Sequence, residues 1–252
     1  MPRRIVYTAV MIYPHPLRPH CTRHAFSLME MALVITIIGL LIGGVVATQS
    51  YIKNAELSTM VNEAKFHLDA LKQFERAYQG LPGDVANASS YWSGAANGNG
   101  NGIIGNGNSP EYFSAFTHLR LGKFITPNYT GVAGSAGALD GDVGVNIPQL
   151  TGTGIGLYAE TAGNGGYHTG FGTYYDGYYG TYVVVARETT GNSLPSNGFL
   201  APESALQLDA KFDNGVPSTG TVRARGATSC SSATAYDVAS TAESCSFIMT
   251  YQ

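Results

Sequence analysis

The apolar segment Phe26–Ala47 constrains this chain more than any other feature, because Glu30 is its only charged side chain. A run of about 20 apolar residues can cross the hydrocarbon core of a bilayer as a helix. The residues before it contain no Asp or Glu, but they include four arginines: Arg3, Arg4, Arg18 and Arg23. Because basic residues favour the cytoplasmic side of a membrane helix, we expect the N-terminus inside and the C-terminus outside.

A cleavable secretory signal is the alternative interpretation of this segment. Such a signal has an apolar core of about 7–15 residues followed by a cleavage site of small residues. Here the apolar run is longer and continues without a break into a second helical pattern. A cut after the run would divide that helix, so we predict an anchor that is retained.

The sequence after Ala47 turns polar but keeps a helical rhythm. Apolar residues recur at spacings of three and four, which predicts one buried helix face. These residues are Leu57, Val61, Ala64, Leu68, Leu71, Phe74 and Tyr78. No proline lies between Phe26 and Gly80, so we predict one continuous helix about 80 Å long. Gly80, as the C-cap, and Pro82 behind it are predicted to end the helix.

Glu30 is the unusual residue of the apolar segment. A carboxylate a few residues into a membrane helix costs several kcal/mol unless it has a partner, so such residues are candidates for function. The alternative is a side chain at the interfacial end of the helix that simply reaches water. We favour a functional role.

The run Ala25-Phe26-Ser27-Leu28-Met29-Glu30, followed by an apolar helix, resembles the class III signal of type IV pilins and type II secretion pseudopilins. The resemblance implies that prepilin peptidase cuts between Ala25 and Phe26 and methylates the new amine of Phe26. It also implies that Glu30 pairs with the terminal amine of a neighbouring subunit. The family usually has glycine where this chain has Ala25. The leader is longer than is usual in the family, and Met11 is an alternative start.

The resemblance divides the chain into a leader at 1–25, a transmembrane half-helix at 26–48, an amphipathic half-helix at 49–80 and an extracytoplasmic head at 81–252. The expected fold is α+β, with the long N-terminal helix packed on an antiparallel β-sheet as in pilins. The helix exit also looks like that of pilin-like proteins, in Tyr78, Leu81-Pro-Gly-Asp84, Asn87-Ala88 and Tyr91-Trp92, and so does the run Leu208–Gly215.

The implied function is structural: a subunit of a type IV pilus or a type II secretion pseudopilus. Its implied partners are prepilin peptidase, other pilin or pseudopilin subunits, the inner-membrane assembly platform and bilayer lipid. The implied location is the inner membrane, with a cytoplasmic N-terminus and a periplasmic head, and then a filament. The formal net charge of −3 gives no electrostatic reason to expect nucleic-acid binding.

The head is rich in glycine and tyrosine (32 and 16 in the chain) and poor in charge (12%), which favours loops and strands. The run Asn97–Asn108 predicts a low-complexity loop with almost no side chain to bury, and it contains no carboxylate to bind calcium. We predict short helices at Glu111–Leu121, opened by Ser109-Pro110 and closed by Gly122, and at Pro202–Phe212. Strands are predicted at Tyr174–Arg187, as a hairpin centred on Asp176-Gly177, and at Ser246–Tyr251.

The chain has three cysteines, of which Cys21 precedes the apolar segment. Cys230 and Cys245 form an even pair that we expect to be oxidised outside the cytoplasm. Closing a loop of about 15 residues would stabilise the fold by roughly 3 kcal/mol. The alternative is two buried free thiols.

No residue set in the sequence indicates catalysis, because it contains no Gly-x-Ser-x-Gly elbow, His-Glu-x-x-His or paired-cysteine metal motif. We therefore predict that the chain is not an enzyme and needs no cofactor or metal. Asp209 and Asp213 could face one cation from a helix, but a turn-stabilising role is favoured. His118 is expected to be packed or exposed rather than a ligand.

Two other functions remain open at this point. One is a minor, tip-located pilin whose head binds a surface or ligand, and the other is a membrane-anchored periplasmic enzyme. A tip subunit should be scarce in sheared filaments, and an enzyme should show hydrolytic activity or bound metal.

Overall fold

The computed structural model describes residues 27–105, 110–162, 180–226, 229–232 and 234–250. The chain divides into two compact units, Met1–Gln49 and Ser50–Gln252. Within the described ranges the chain is α+β. Its helices are α1 (Leu28–Tyr78), α2 (Ala88–Tyr91), α3 (Glu111–Leu121) and α4 (Pro202–Phe212), and its strands are β1 (Ile155–Ala162), β2 (Gly180–Arg187), β3 (Val222–Gly226) and β4 (Cys245–Thr250).

The four strands form one antiparallel sheet in the order β1-β2-β4-β3. Val184 in β2 is paired with Tyr158 on one side and with Ile248 on the other, which fixes the register of the inner strands. All six inner residues of β2 are buried, and so is every residue of β4. Central strands buried on both faces need apolar side chains almost throughout, which explains the runs Tyr182–Ala186 and Phe247–Met249.

The part of α1 that follows Ser50 buries the apolar face predicted from its periodicity. Leu57, Val61, Ala64, Leu68, Leu71 and Phe74 are all buried, and Tyr78 packs against them. These side chains belong to the same hydrophobic core as buried residues of the sheet, among them Leu157, Val183 and Phe247. Glu63 adds a polar connection, since its carboxylate accepts hydrogen bonds from the backbone N–H and the hydroxyl of Thr151, at 2.7 and 2.9 Å.

The prediction that Gly80 caps α1 is wrong. The helix ends at Tyr78, and Gln79 takes the left-handed conformation, with φ of 54°. The Gln79 side chain donates from Nε2 to the carbonyl of Arg76 at 2.9 Å, and its N–H donates to the carbonyl of Glu75 at 2.8 Å. These two bonds satisfy carbonyls that the last turn would otherwise leave unpaired, which offsets the strain of a non-glycine residue there.

The short elements of the head agree largely with the sequence predictions. α3 and α4 have the predicted bounds, although Pro110 is the N-cap of α3 rather than a residue of its first turn, and Ser109 lies outside the described residues. The last strand is found one residue earlier than predicted, as β4, while Tyr251 is not described. Val183–Arg187 lie in β2 as expected, but the predicted turn at Asp176-Gly177 lies outside the described residues.

Cys230 and Cys245 are joined as a disulfide, with their Cα atoms 5.0 Å apart. Both residues are fully buried. Cys245 is the first residue of β4 and pairs with Gly226 at the end of β3, so the bridge ties the segment after β3 back to the sheet. The expected bond is thus present, and the alternative of two free thiols is not.

Candidate functional site

The apolar helix surface at the start of α1 is the most unusual feature of the described chain. Residues Leu28–Val45 have a mean hydropathy of 2.3, and none of them is buried. An 18-residue helix is about 27 Å long, close to the hydrocarbon thickness of a bilayer. Exposed apolar surface of this extent marks contact with a membrane or with other protein.

The hydroxyl groups on and beside this stretch are bonded within the helix itself. The hydroxyl of Thr36 donates to the carbonyl of Ala32 at 2.8 Å, and that of Thr48 donates to the carbonyl of Gly44 at 2.7 Å. At the N-terminal end, Ser27 Oγ accepts the N–H of Met29 at 3.3 Å. Hydroxyls bonded to the preceding turn can enter an apolar medium at little cost, because no donor is left unpaired.

Glu30 lies in the first turn of α1 and is exposed. It is the only charged residue between Phe26 and Ile52. The described part of the chain has one ion pair, between Arg187 and Glu243, and Glu30 is not in it. A carboxylate at the start of a helix is favoured modestly by the helix dipole, but that does not replace a counter-ion if the surface enters an apolar medium. Glu30 therefore has no ion-pair partner among the described residues.

The cleavage residues predicted from the resemblance, Ala25 and Phe26, lie outside the described residues. Cleavage between them and methylation of Phe26 stay predictions. Of the predicted site residues, Glu30 is found on the exposed apolar helix, and Cys230 and Cys245 are found in the disulfide.

Aromatic side chains gather where α1 ends. Phe74 packs against Tyr78 and Trp92, with ring centroids 4.7 and 5.8 Å away, and Tyr91 lies 5.6 Å from Trp92. Phe124, which follows α3, completes this group at 5.7 Å from Phe74. Aromatic pairs at such distances contribute about 0.5–1.5 kcal/mol beyond burial. The helix-exit residues Tyr78 and Tyr91-Trp92 thus form one packed cluster.

Two carboxylates to which the sequence analysis gave no role in this loop organise the Asn-Gly loop (residues 97–105). Asp84 is buried and accepts the N–H groups of Asn101 and Gly102, at 3.0 and 2.8 Å. Glu111, at the start of α3, is also buried and accepts the N–H of Asn99 at 3.2 Å and that of Gly105 at 3.2 Å. Carboxylates that accept backbone N–H groups act here as internal anchors of the loop.

The loop also buries a side chain, contrary to expectation. Ile104 is fully buried in the hydrophobic core, and its N–H donates to Thr161 Oγ1 of β1 at 3.1 Å. An isoleucine between glycines and asparagines has no local periodicity to mark it as core. The only signal available from sequence was the pair of apolar residues, Ile103-Ile104, inside an otherwise polar stretch.

His118 of α3 is fully buried, and both of its ring nitrogens have partners. Nδ1 accepts the N–H of Gly83 at 2.9 Å, so that nitrogen carries no proton. Nε2 therefore carries the proton and donates to the carbonyl of Ala96, 2.8 Å away. Burial lowers the pKa of His118, and the bond to Ala96 only partly opposes this effect. A second proton, on Nδ1, would face the Gly83 N–H and break the connection between α3 and the helix exit.

Acidification should therefore weaken the fold. The unfolded chain takes up a proton on His118 at about pH 6.5, whereas the folded chain resists it, so stability present above that pH is lost as the pH falls toward the folded-state pKa. Asp209 acts in the opposite sense, because burial raises its pKa.

Denaturant titrations at a series of pH values should show a smaller pH dependence of unfolding free energy in His118→Gln than in the wild type. His67, whose pKa is also lowered chiefly by burial, retains part of the slope in both chains. Equal slopes would contradict this account of His118.

Asp209 and Asp213 hold the turn after α4. Asp209 accepts the hydroxyl of Tyr236 at 2.7 Å and the N–H of Gly215 at 3.0 Å, and Asp213 accepts the N–H of Val222 at 3.0 Å. The two carboxylates bond separate donors, in keeping with a turn-stabilising role. Among the described residues no group of three or more His, Cys, Asp or Glu is placed to hold a metal ion.

No family model, curated protein or solved structure matches this chain. The features that bear on function are an exposed apolar helix, whose one carboxylate has no ion-pair partner among the described residues, and a disulfide-closed α+β head.

Proposed function

We propose that this protein is a structural subunit of a membrane-derived filament, either a type IV pilus or a type II secretion pseudopilus. Prepilin peptidase removes residues 1–25 and methylates Phe26, and the exposed helix surface then carries the subunit from the bilayer into the filament. The observation that supports this proposal most strongly is Leu28–Val45, an apolar helix surface with no buried residue and with Glu30 at its N-terminal end.

The two environments of such a subunit explain the surface. Before assembly, lipid covers the apolar side chains of Leu28–Val45, and the basic residues that precede them keep the N-terminus in the cytoplasm. After assembly, the same side chains pack against the helices of other subunits. Neither state leaves the apolar area in water, where its exposure costs about 25 cal/mol per Å².

Glu30 fits this sequence of states because its partner appears only after cleavage. Removal of the leader creates an ammonium group at Phe26, and an ammonium of a neighbouring subunit can neutralise the carboxylate of Glu30. A buried charge without a partner is strongly unfavourable, whereas a paired and hydrogen-bonded one is tolerated. The ion pair between Glu30 and the Phe26 ammonium of a neighbouring subunit therefore favours the addition of processed subunits in one register.

The head contributes structure rather than chemistry in this proposal. Its core unites the later part of α1 with the antiparallel sheet, and the Cys230–Cys245 bridge secures the sheet edge in an oxidising compartment. The architecture, a long N-terminal helix followed by an α+β head, is compatible with a pilin.

Fractionation of the native host tests the proposal. The protein should stay in the membrane pellet after alkaline extraction and should also be found in filaments sheared from cells. The comparison variant is Leu40→Lys, which places a charge in the apolar surface. This charge costs about 2.5–3.5 kcal/mol of insertion free energy and should reduce membrane retention. Recovery of the wild type only as a free soluble protein would contradict the proposal.

A further inference from the structure

A groove of about 470 Å³ opens beside the end of α1. The last turn of α1, the loop after it, α2 and the Asn-Gly loop form its walls. The residues that matter for recognition are Glu75, Tyr78, Asn87 and Tyr91, and Gly100 and Gly102 also line the groove. This volume lies in the range of about 300–1,000 Å³ that is typical of small-molecule sites.

Two tyrosine rings form a corner in this groove. The rings of Tyr78 and Tyr91 lie 5.7 Å apart between centroids and are inclined by 70°. Tyr91 is 55% exposed, so much of its ring is open to solvent. An exposed aromatic face beside the edge of a second ring can cover an apolar, C–H-rich face of a ligand, while each hydroxyl remains available for hydrogen bonds.

Four polar side chains of the groove make no hydrogen bond to another described residue. They present the carboxylate of Glu75, the side-chain amide of Asn87 and the hydroxyls of Tyr78 and Tyr91. Together they offer both donors and acceptors. Asp84 also lines the groove, but its two oxygens are occupied by the N–H groups of the Asn-Gly loop.

The charge of the groove selects among ligands. Glu75 has no cationic partner among the described residues, so a phosphate, a uronic acid or another anion would meet an uncompensated carboxylate. A ligand that suits the site has one apolar face for Tyr91 and several hydroxyls for the amide, the carboxylate and the tyrosines. Sugars have this combination of a C–H face and hydroxyl groups that both donate and accept.

We propose that this groove binds a short neutral saccharide. Binding there does not depend on filament assembly, because every lining residue lies in the unit Ser50–Gln252. A variant could thus lose sugar binding and still assemble normally, and another variant could bind sugar and fail to assemble.

Trp92 provides the measurement, since it is the only tryptophan of the chain and its ring lies 4.9 Å from that of Tyr78 and 5.6 Å from that of Tyr91. The full chain in lipid nanodiscs is titrated with lactose, maltose and N,N′-diacetylchitobiose while Trp92 fluorescence is recorded. We expect a saturable change with at least one of these sugars. Tyr91→Ala should weaken that binding about tenfold through the loss of the stacking ring, and Glu75→Gln should alter it.

Tyr51→Ala is the matched control, because Tyr51 is an 81% exposed tyrosine of the same helix that does not line the groove. It should leave sugar affinity unchanged. The proposal is overturned if none of the three sugars gives a saturable change, or if Tyr91→Ala and Tyr51→Ala bind equally well. Tighter binding of glucuronic acid than of the neutral sugars would contradict the proposal that the groove selects a neutral ligand.

Discussion

The Glu30→Ala variant should be cleaved and held in the membrane but should not form filaments. The variant removes the carboxylate, so the terminal ammonium of each neighbouring subunit would enter the filament core without a partner. An unpaired buried charge costs roughly 3–5 kcal/mol, which corresponds to at least about a hundredfold loss in the equilibrium constant for subunit addition. The measurement is the amount of the protein in sheared filaments relative to the amount of mature protein in membranes.

Glu56→Ala is the matched control for this experiment, since Glu56 is an exposed glutamate on the same helix outside the apolar segment. It should assemble like the wild type. Glu30→Gln should fail as Glu30→Ala does, because the charge and not the shape is required. Normal filaments from either Glu30 variant would show that the carboxylate has no role in assembly.

The Phe74→Ala variant should lose about 3–5 kcal/mol of stability, the usual cost of removing a buried phenylalanine. Phe74 is fully buried and its ring contacts those of Tyr78, Trp92, His118 and Phe124. Its removal opens a cavity at the point where α1 meets the helix exit and α3. At about 2–4 °C per kcal/mol for a domain of this size, the unfolding midpoint should fall by roughly 6–20 °C.

The same helix offers a direct comparison in Phe66, which is 54% exposed. Phe66→Ala should shift the midpoint by no more than a few degrees, because a surface substitution changes stability by about 0.5 kcal/mol or less. Thermal unfolding of both variants in nanodiscs, followed by circular dichroism, gives the two values. Equal shifts would mean that α1 does not present Phe74 to the core as described.

Short sequence patterns predicted the buried face of α1 and the limits of the short helices, because these features depend on residues that are close in the chain. The period of Leu57–Phe74 identified the buried face of α1. Pro110 and Gly122 marked the limits of α3, and Pro202 marked the start of α4. The end of α1 was misjudged by one position, because glycine is the usual left-handed residue and the side-chain bond that allows Gln79 to replace it cannot be read from composition.

Long-range contacts could not be predicted in the same way. The pairing of β2 with both β1 and β4 joins residues far apart in the chain, and nothing in Val183–Val185 specifies which strand lies on which side. The anchoring of the Asn-Gly loop by Asp84 and Glu111 was missed for the same reason, since the loop itself contains no carboxylate. Within the candidate site, Glu30 was identified because a charge in an apolar helix is conspicuous without any tertiary contact.

The two proposals concern different parts of the molecule. Filament assembly, as proposed, depends on Leu28–Val45 and Glu30, whereas the proposed saccharide binding depends on Tyr91 and its neighbours. Tyr91→Ala should therefore assemble normally, and Glu30→Ala should keep the fluorescence response of Trp92 to sugar. Loss of both activities in either variant would indicate a folding defect and not a site defect, which the unfolding midpoint would reveal.

The decisive measurement is the N-terminal residue and the mass of the protein from native membranes, with and without active prepilin peptidase. We expect a mature chain that begins at Phe26, carries a methylated amine and is produced only when the peptidase is active. A chain that remains uncut in the presence of the peptidase, or one that is cut after the apolar segment, would contradict the proposed function.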